Sequence, residues 1–165
     1  MPPSPRLVLR AKSLDDTHGI ATTLAALVRQ GDVVLLAGEM GSGKTAFAQG
    51  FGRALGVTEP ITSPTFTLVH SYDSGGLTLH HADLYRLDQL AEVADLALAE
   101  LAEHHGVVIV EWGDVVESSF GDHLVVELEL VPGDVEARVV TMAGTGSTWS
   151  RRWSALCDAT SDWAQ

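Results

Sequence analysis

Lys44 and Thr45 close the stretch Gly38-Glu39-Met40-Gly41-Ser42-Gly43-Lys44-Thr45, and these residue types at this spacing suit one kind of chemistry. The pattern is G-x-x-x-x-G-K-[ST], in which glycine backbone N–H groups close around an anionic phosphate and the lysine adds positive charge. The Thr45 hydroxyl is the expected Mg²⁺ contact in such a loop. Glu39, Met40, Gly41, Ser42, Gly43, Lys44, Thr45 and Ala46 are therefore the candidate nucleotide-binding residues. The flanking sequence agrees. Val33-Val34-Leu35-Leu36-Ala37 is a short apolar run suited to a buried parallel strand. Thr45 to Leu55 is helix-compatible, with Gly56 placed to end it. Strand, glycine loop and helix together aim a helix N-terminus at phosphate.

Three further positions carry candidate chemistry. Glu111 follows the apolar run Val107-Val108-Ile109-Val110, at the strand end where ligands collect in open α/β sheets, and is a candidate Mg²⁺ contact and catalytic residue. Asp83 ends a strand expected over Leu77–Ala82; it is a second candidate catalytic carboxylate, or the cap of the turn into Leu84-Tyr85-Arg86. Thr65 lies in a loop rich in hydroxyls, where a γ-phosphate-sensing residue would sit. The histidine pairs fit a metal site poorly. His80 and His81 share an expected strand and point to opposite faces, and His104-His105 fall at a helix end whose dipole favours them.

The elements that must position these residues are legible in outline. A short edge strand (Leu7–Leu9) precedes a helix that Asp15-Asp16-Thr17 would cap, reaching Arg29 and ended by Gly31. After the phosphate helix, strands over Thr65–Tyr72 and Leu77–Ala82 flank the turn Asp73-Ser74-Gly75-Gly76. A helix is expected over Asp88–His105, capped by Gly106, then the central strand 107–110. Leu124–Val131 and Val135–Met142 read as a hairpin around Pro132-Gly133-Asp134. Strands mixed with three helices, a central parallel pair and marginal hairpins predict an α/β three-layer P-loop NTPase fold with a mixed sheet. Residues 1–148 read as one domain and 149–165 as a tail with three tryptophans and no periodicity; packing on the sheet is expected for two of them.

Composition limits the partners. The net charge of −12 and only two lysines, Lys12 and Lys44, argue against a protein that grips nucleic acid unaided. Cys157 is the only cysteine, which removes internal disulfides and cysteine-based zinc clusters. No apolar run approaches the roughly 18 residues of a membrane span, and no signal-like segment follows Met1, so a cytoplasmic setting is expected.

Four blocks, Gly38–Thr45, Ser63-Pro64-Thr65-Phe66, His81-Ala82-Asp83-Leu84-Tyr85-Arg86-Leu87 and Val110-Glu111-Trp112, occur in an order and at separations that resemble the TsaE family. These are small P-loop ATPases of bacterial tRNA threonylcarbamoyladenosine biosynthesis, and the resemblance runs from about Leu14 to Met142. It implies ATP and Mg²⁺ held by Gly41–Thr45 and Glu111, and Asp83 needed for hydrolysis. Trp112 matches the tryptophan after the strand-end glutamate, and Thr65 would lie in a nucleotide-responsive loop. It also implies a TsaD-like threonylcarbamoyltransferase and a TsaB-like subunit as partners, with tRNA reached only through them. The chain departs from the family in carrying Glu39 where Asp is usual, and Gly113-Asp114 and Ser119-Phe120-Gly121 where a further Glu and Leu-Pro are common. A Ras-like GTPase is excluded, because guanine selection there uses an Asn-Lys-x-Asp motif and the chain has no asparagine. A small-molecule kinase needs an arginine-bearing lid, and Arg86 is the only arginine between Arg53 and Arg138. A nucleotide-dependent binding module with little turnover of its own is the third reading.

Overall fold

The structure, a computed structural model, describes residues 4–63, 69–85, 98–104, 106–112, 117–118 and 120–165. The strands are β1 (Arg6–Ala11), β2 (Val33–Ala37), β3 (Val69–Asp73), β4 (Thr78–Asp83), β5 (Gly106–Glu111), β6 (His123–Val131) and β7 (Asp134–Thr145). They form one 7-stranded sheet in the order β1-β7-β6-β2-β5-β4-β3. The helices are α1 (Leu14–Ala25), α2 (Lys44–Leu55), α3 (Leu98–Glu103), α4 (Ser147–Ser150) and α5 (Trp153–Ala159), followed by a 3₁₀ turn, Ser161–Trp163. The mixed α/β P-loop fold expected from the sequence is what forms.

The parallel block is larger than the expected central pair. β6, β2, β5 and β4 all run parallel, while β3 pairs antiparallel with β4, and β7 with both β6 and β1. Each hairpin thus contributes one arm to the parallel core, a pairing that turn chemistry alone does not reveal. β2 and β5 are buried along their whole length, and alternation divides their side chains between two cores. Val34, Leu36, Val107 and Ile109 pack with Ile20, Leu24, Phe47 and Phe51. Val33, Leu35, Val108 and Val110 pack with Leu98 and Ala102 on the opposite face. Helices on both faces make the three layers.

Packing, more than propensity, holds α2. Gly50 and Gly52 each weaken a helix interior by about 0.5–1 kcal/mol, but a fully buried phenylalanine contributes ~1.5–3 kcal/mol, and Phe47 and Phe51 are both wholly buried. Gly50 sits at a close approach: a Cβ there would lie 3.1 Å from the Cα of His18 on α1, tighter than ordinary contact. Gly56 ends α2 as expected, left-handed at φ 111° with its N–H donating to Arg53 O.

Several boundaries differ from the sequence expectation. Ser13, not Asp15-Asp16-Thr17, caps α1, its hydroxyl accepting the Asp16 N–H. The helix ends at Ala25 rather than Arg29, and side chains, one local and one from the tail, claim the following backbone. The Arg29 N–H donates to Asp32 Oδ2 at 2.6 Å, and the Leu27 carbonyl accepts from Arg152 at 2.9 Å. Gly106 does not cap a helix but begins β5. Residues 65–68 of the expected strand, and 88–97 and 105 of the expected helix, lie outside the described residues.

The tail is ordered into helices. Trp149 is 1% exposed, and Trp153 and Trp163 pack partly buried against the same core. The chain end returns along the sheet edge, where Ala164 bridges Leu9 of β1, covering part of an otherwise open edge. Arg152 makes a bidentate pair with Asp32 at 2.5 and 2.8 Å, with both side chains only 7% exposed, and stacks 4.1 Å over Trp149. Truncating one partner leaves the other charge buried. Arg152→Ala is expected to lower unfolding free energy by about 3–5 kcal/mol in urea denaturation; a loss below ~1 kcal/mol, the range of exposed pairs, would show that the tail is not clamped this way.

Candidate functional site

The glycine loop leaves β2 at Gly38, where no side chain fits: a Cβ would lie 2.4 Å from the Leu128 carbonyl oxygen and 2.5 Å from Ser42 Oγ. Gly41 (φ 80°) and Gly43 (φ 105°) are left-handed, a conformation glycine adopts without penalty. Gly43 caps α2 with no side-chain hydrogen bond to the helix, so the helix N-terminus offers its own N–H groups to an anion. Lys44 is 5% exposed, and its Nζ donates to the carbonyls of Gly38 (2.7 Å) and Glu39 (2.8 Å). From β7, Arg138 braces the loop, its Nε donating to Ser42 O at 2.7 Å.

Glu111, at the end of β5, is 3% exposed. Its Oε1 accepts the Thr45 hydroxyl at 2.8 Å. Its Oε2 accepts the Ser63 hydroxyl at 3.2 Å and His81 Nε2 at 2.6 Å. Thr45 and Ser63 lie 2.9 Å apart through their hydroxyl oxygens. Burial, the largest influence, pushes the Glu111 pKa up, but the hydrogen bond and charge of His81, then the Thr45 and Ser63 hydroxyls, outweigh it. The net shift is downward, so the carboxylate is ionised at neutral pH. An ionised carboxylate and a threonine hydroxyl side by side are the hard oxygen donors that Mg²⁺ accepts, so the residues present fit that ion.

Alternation places Asp83 beside this group. It pairs in register with Glu111, and its Oδ1 accepts the Tyr85 N–H at 3.0 Å. The turn-capping role weighed for Asp83 is thus present, and a carboxylate retains further acceptor capacity. Trp112 follows Glu111 with φ 62°, a left-handed conformation costing roughly 1–2 kcal/mol for a non-glycine residue. Its ring lies 4.0 Å from Lys44 Nζ and 5.1 Å from the Tyr85 ring. A desolvated cation–π contact contributes up to about 2 kcal/mol, enough to offset that strain.

Lys44, Thr45, Ser63, Asp83, Glu111 and Trp112 line one cleft of about 330 Å³, together with Met40, Gly41, Gly43, Ala46 and Tyr85. Of the expected site residues, Ser42 is fully buried under the loop, and Glu39 is exposed outside the cleft, contributing its carbonyl to Lys44. Thr65 lies outside the described residues. A larger recess of about 590 Å³ flanks the loop, but Glu39, Glu117, Glu127 and Glu129 line it. That charge would repel phosphate, and the smaller cleft is the better anion site.

Sequence reasoning missed three contributors: Ser63, His81 and Arg138. His81 had a usable signal, since it stands two residues before Asp83 on one strand and therefore shares its face. His80 points the other way, to Ser71 Oγ at 2.7 Å, as the expected alternation requires. Arg138 lies 96 residues from Ser42, and no local pattern links them.

The family described as "Threonylcarbamoyl adenosine biosynthesis protein TsaE" matches residues 11–140. The chain is similar to the tRNA threonylcarbamoyladenosine biosynthesis protein TsaE of Bacillus subtilis, 36% identical over 153 residues, covering 93% of this chain and 92% of that protein. The protein of the same name from Streptomyces coelicolor is 42% identical over 133 residues, covering 77% and 89% respectively. The crystal structure of YdiB from Bacillus subtilis superposes with a TM-score of 0.77 at 31% identity, covering 96% of each chain.

The depressed Glu111 pKa carries a pH signature. Because the folded value lies below the ordinary 4.5, ionised Glu111 stabilises the fold above that pH, and the contribution is lost as pH falls through the folded value. Glu111→Gln is expected to cost about 1–3 kcal/mol at neutral pH, with the gap to wild type narrowing in acid. Urea unfolding across a pH series checks this; a gap that stays constant into acid would contradict it.

Proposed function

The chain belongs to the TsaE family of threonylcarbamoyl adenosine biosynthesis proteins, and on that premise we propose that it is an ATPase supporting tRNA threonylcarbamoyladenosine modification. The observation that carries this reading is the convergence of Lys44, Thr45 and Glu111 on one cleft at the N-terminus of α2. The glycine loop and Lys44 bind the β- and γ-phosphates of ATP, exchanging the carbonyl partners of Lys44 for phosphate oxygens. Thr45 and Glu111 hold Mg²⁺, which when bound neutralises developing phosphate charge. Asp83 orients the attacking water by accepting a hydrogen bond from it, or supports the metal shell. Trp112 keeps Lys44 directed at the cleft, and the segment containing Thr65 responds to the γ-phosphate.

The other Tsa proteins are its working partners in this reading, specifically a TsaD-like threonylcarbamoyltransferase and a TsaB-like subunit, in the cytoplasm. The net charge of −12 suits a protein that reaches tRNA through such partners. No helix among the described residues is long and apolar enough to cross a membrane.

Substitutions separate binding from turnover. Lys44→Ala is expected to weaken ATP binding about 10- to 100-fold, the loss of one charged hydrogen-bonding group. Glu111→Ala and Asp83→Ala are expected to reduce hydrolysis at least about 100-fold, more than either weakens ATP binding, and Glu111→Ala to lose also about tenfold or more of the Mg²⁺-dependent part of that binding. The measurement is calorimetric ATP binding and steady-state phosphate release with the partner subunits present. Wild-type turnover in both carboxylate variants would falsify the assignment, and phosphorylation of a small acceptor would favour a kinase.

A further inference from the structure

We propose that His81 is a positioning residue, whose Nε2–H holds Glu111 by Oε2 and so turns Oε1 toward Thr45, where Mg²⁺ would be shared. The inference rests on the reading that Thr45 and Glu111 hold the ion.

Strand register gives the first argument. In the parallel β4–β5 pair the residue opposite Glu111 is Asp83, and the residue opposite His81 is Ile109. Glu111 nonetheless makes its 2.6 Å contact with His81, two residues back along β4. Two facing carboxylates repel, and the terminal torsion of a glutamate is soft. His81 therefore draws the Glu111 head group away from Asp83 and fixes its rotation. The hydroxyl of Ser63 reaches the same oxygen at the longer distance of 3.2 Å, so His81 is the shorter tether.

Burial gives the second. His81 is 0% exposed, yet its Nδ1 has no hydrogen-bond partner among the described residues. A buried polar atom without a partner is costly, and an apolar side chain would fill this volume without that penalty. Packing alone does not select histidine here; the contact with Glu111 does. A ring that holds a metal-facing carboxylate from behind acts on the ion through that carboxylate.

The test compares His81→Gln, whose amide N–H can follow the Nε2 direction, with His81→Asn, which is too short to reach Glu111. ATP affinity is measured by calorimetry in EDTA and in Mg²⁺, with urea midpoints recorded for each protein. Metal-free ATP affinity is expected to stay unchanged in both variants. The Mg²⁺-dependent gain in affinity is expected to fall about tenfold or more in His81→Asn and to recover in His81→Gln. Equal Mg²⁺ responses in the two variants would overturn the proposal, as would parallel losses in EDTA and Mg²⁺, the mark of a structural role. If His81→Asn does not fold, His81→Met, which fills the volume without a donor, replaces it, and a full Mg²⁺ response there overturns the proposal. A wild-type protein whose ATP affinity ignores Mg²⁺ would overturn the metal reading itself, and shows without any substitution.

Discussion

A carboxylate buried at the end of a parallel strand must find donors, and Glu111 draws them from three separate parts of the chain: Thr45 on α2, Ser63 after it, and His81 on β4. Each contact fixes one element against β5. The rest of the site inherits its geometry from this group, since Thr45 also begins the helix that aims at the cleft and His81 lies two residues before Asp83. Glu111 stays ionised there because its hydrogen bonds and the charge of His81 outweigh the desolvation of the carboxylate.

The glycine loop is held from outside as well as from within. Gly38 passes against the backbone of Leu128 on β6, and Arg138 on β7 grips the carbonyl of Ser42. The hairpin read from the sequence as a marginal element is thus a wall of the loop. Lys44, Arg138 and the amides of α2 bring positive charge to that place, while the neighbouring recess with its glutamates presents the opposite sign.

A similar long-range dependence joins the tail to the strand that carries the loop. Arg152 reaches Asp32 and Leu27 in the turn immediately before β2, so the segment after Gly144 helps set where β2 begins. Trp149 shields that pair under its ring. The polar composition of the tail hid this, because its buried surface is carried by a few large side chains with no helical period.

The sequence by itself determined the glycine loop, the strand and helix around it, the central strand ending in Glu111, and the family blocks that carry Asp83 and Trp112. These are signals between near neighbours: glycine conformations, apolar runs and fixed spacings act over a few residues and survive without knowledge of the fold. Tertiary structure alone decided that four strands run parallel, that His81 and Ser63 complete the Glu111 site, that Arg138 braces the loop, and that the tail folds into helices. Those outcomes depend on strand register and on contacts between residues as distant in the sequence as Leu9 and Ala164. Local pattern fixes where the backbone bends and which face a side chain takes; which partner it meets there is set by how the sheet assembles.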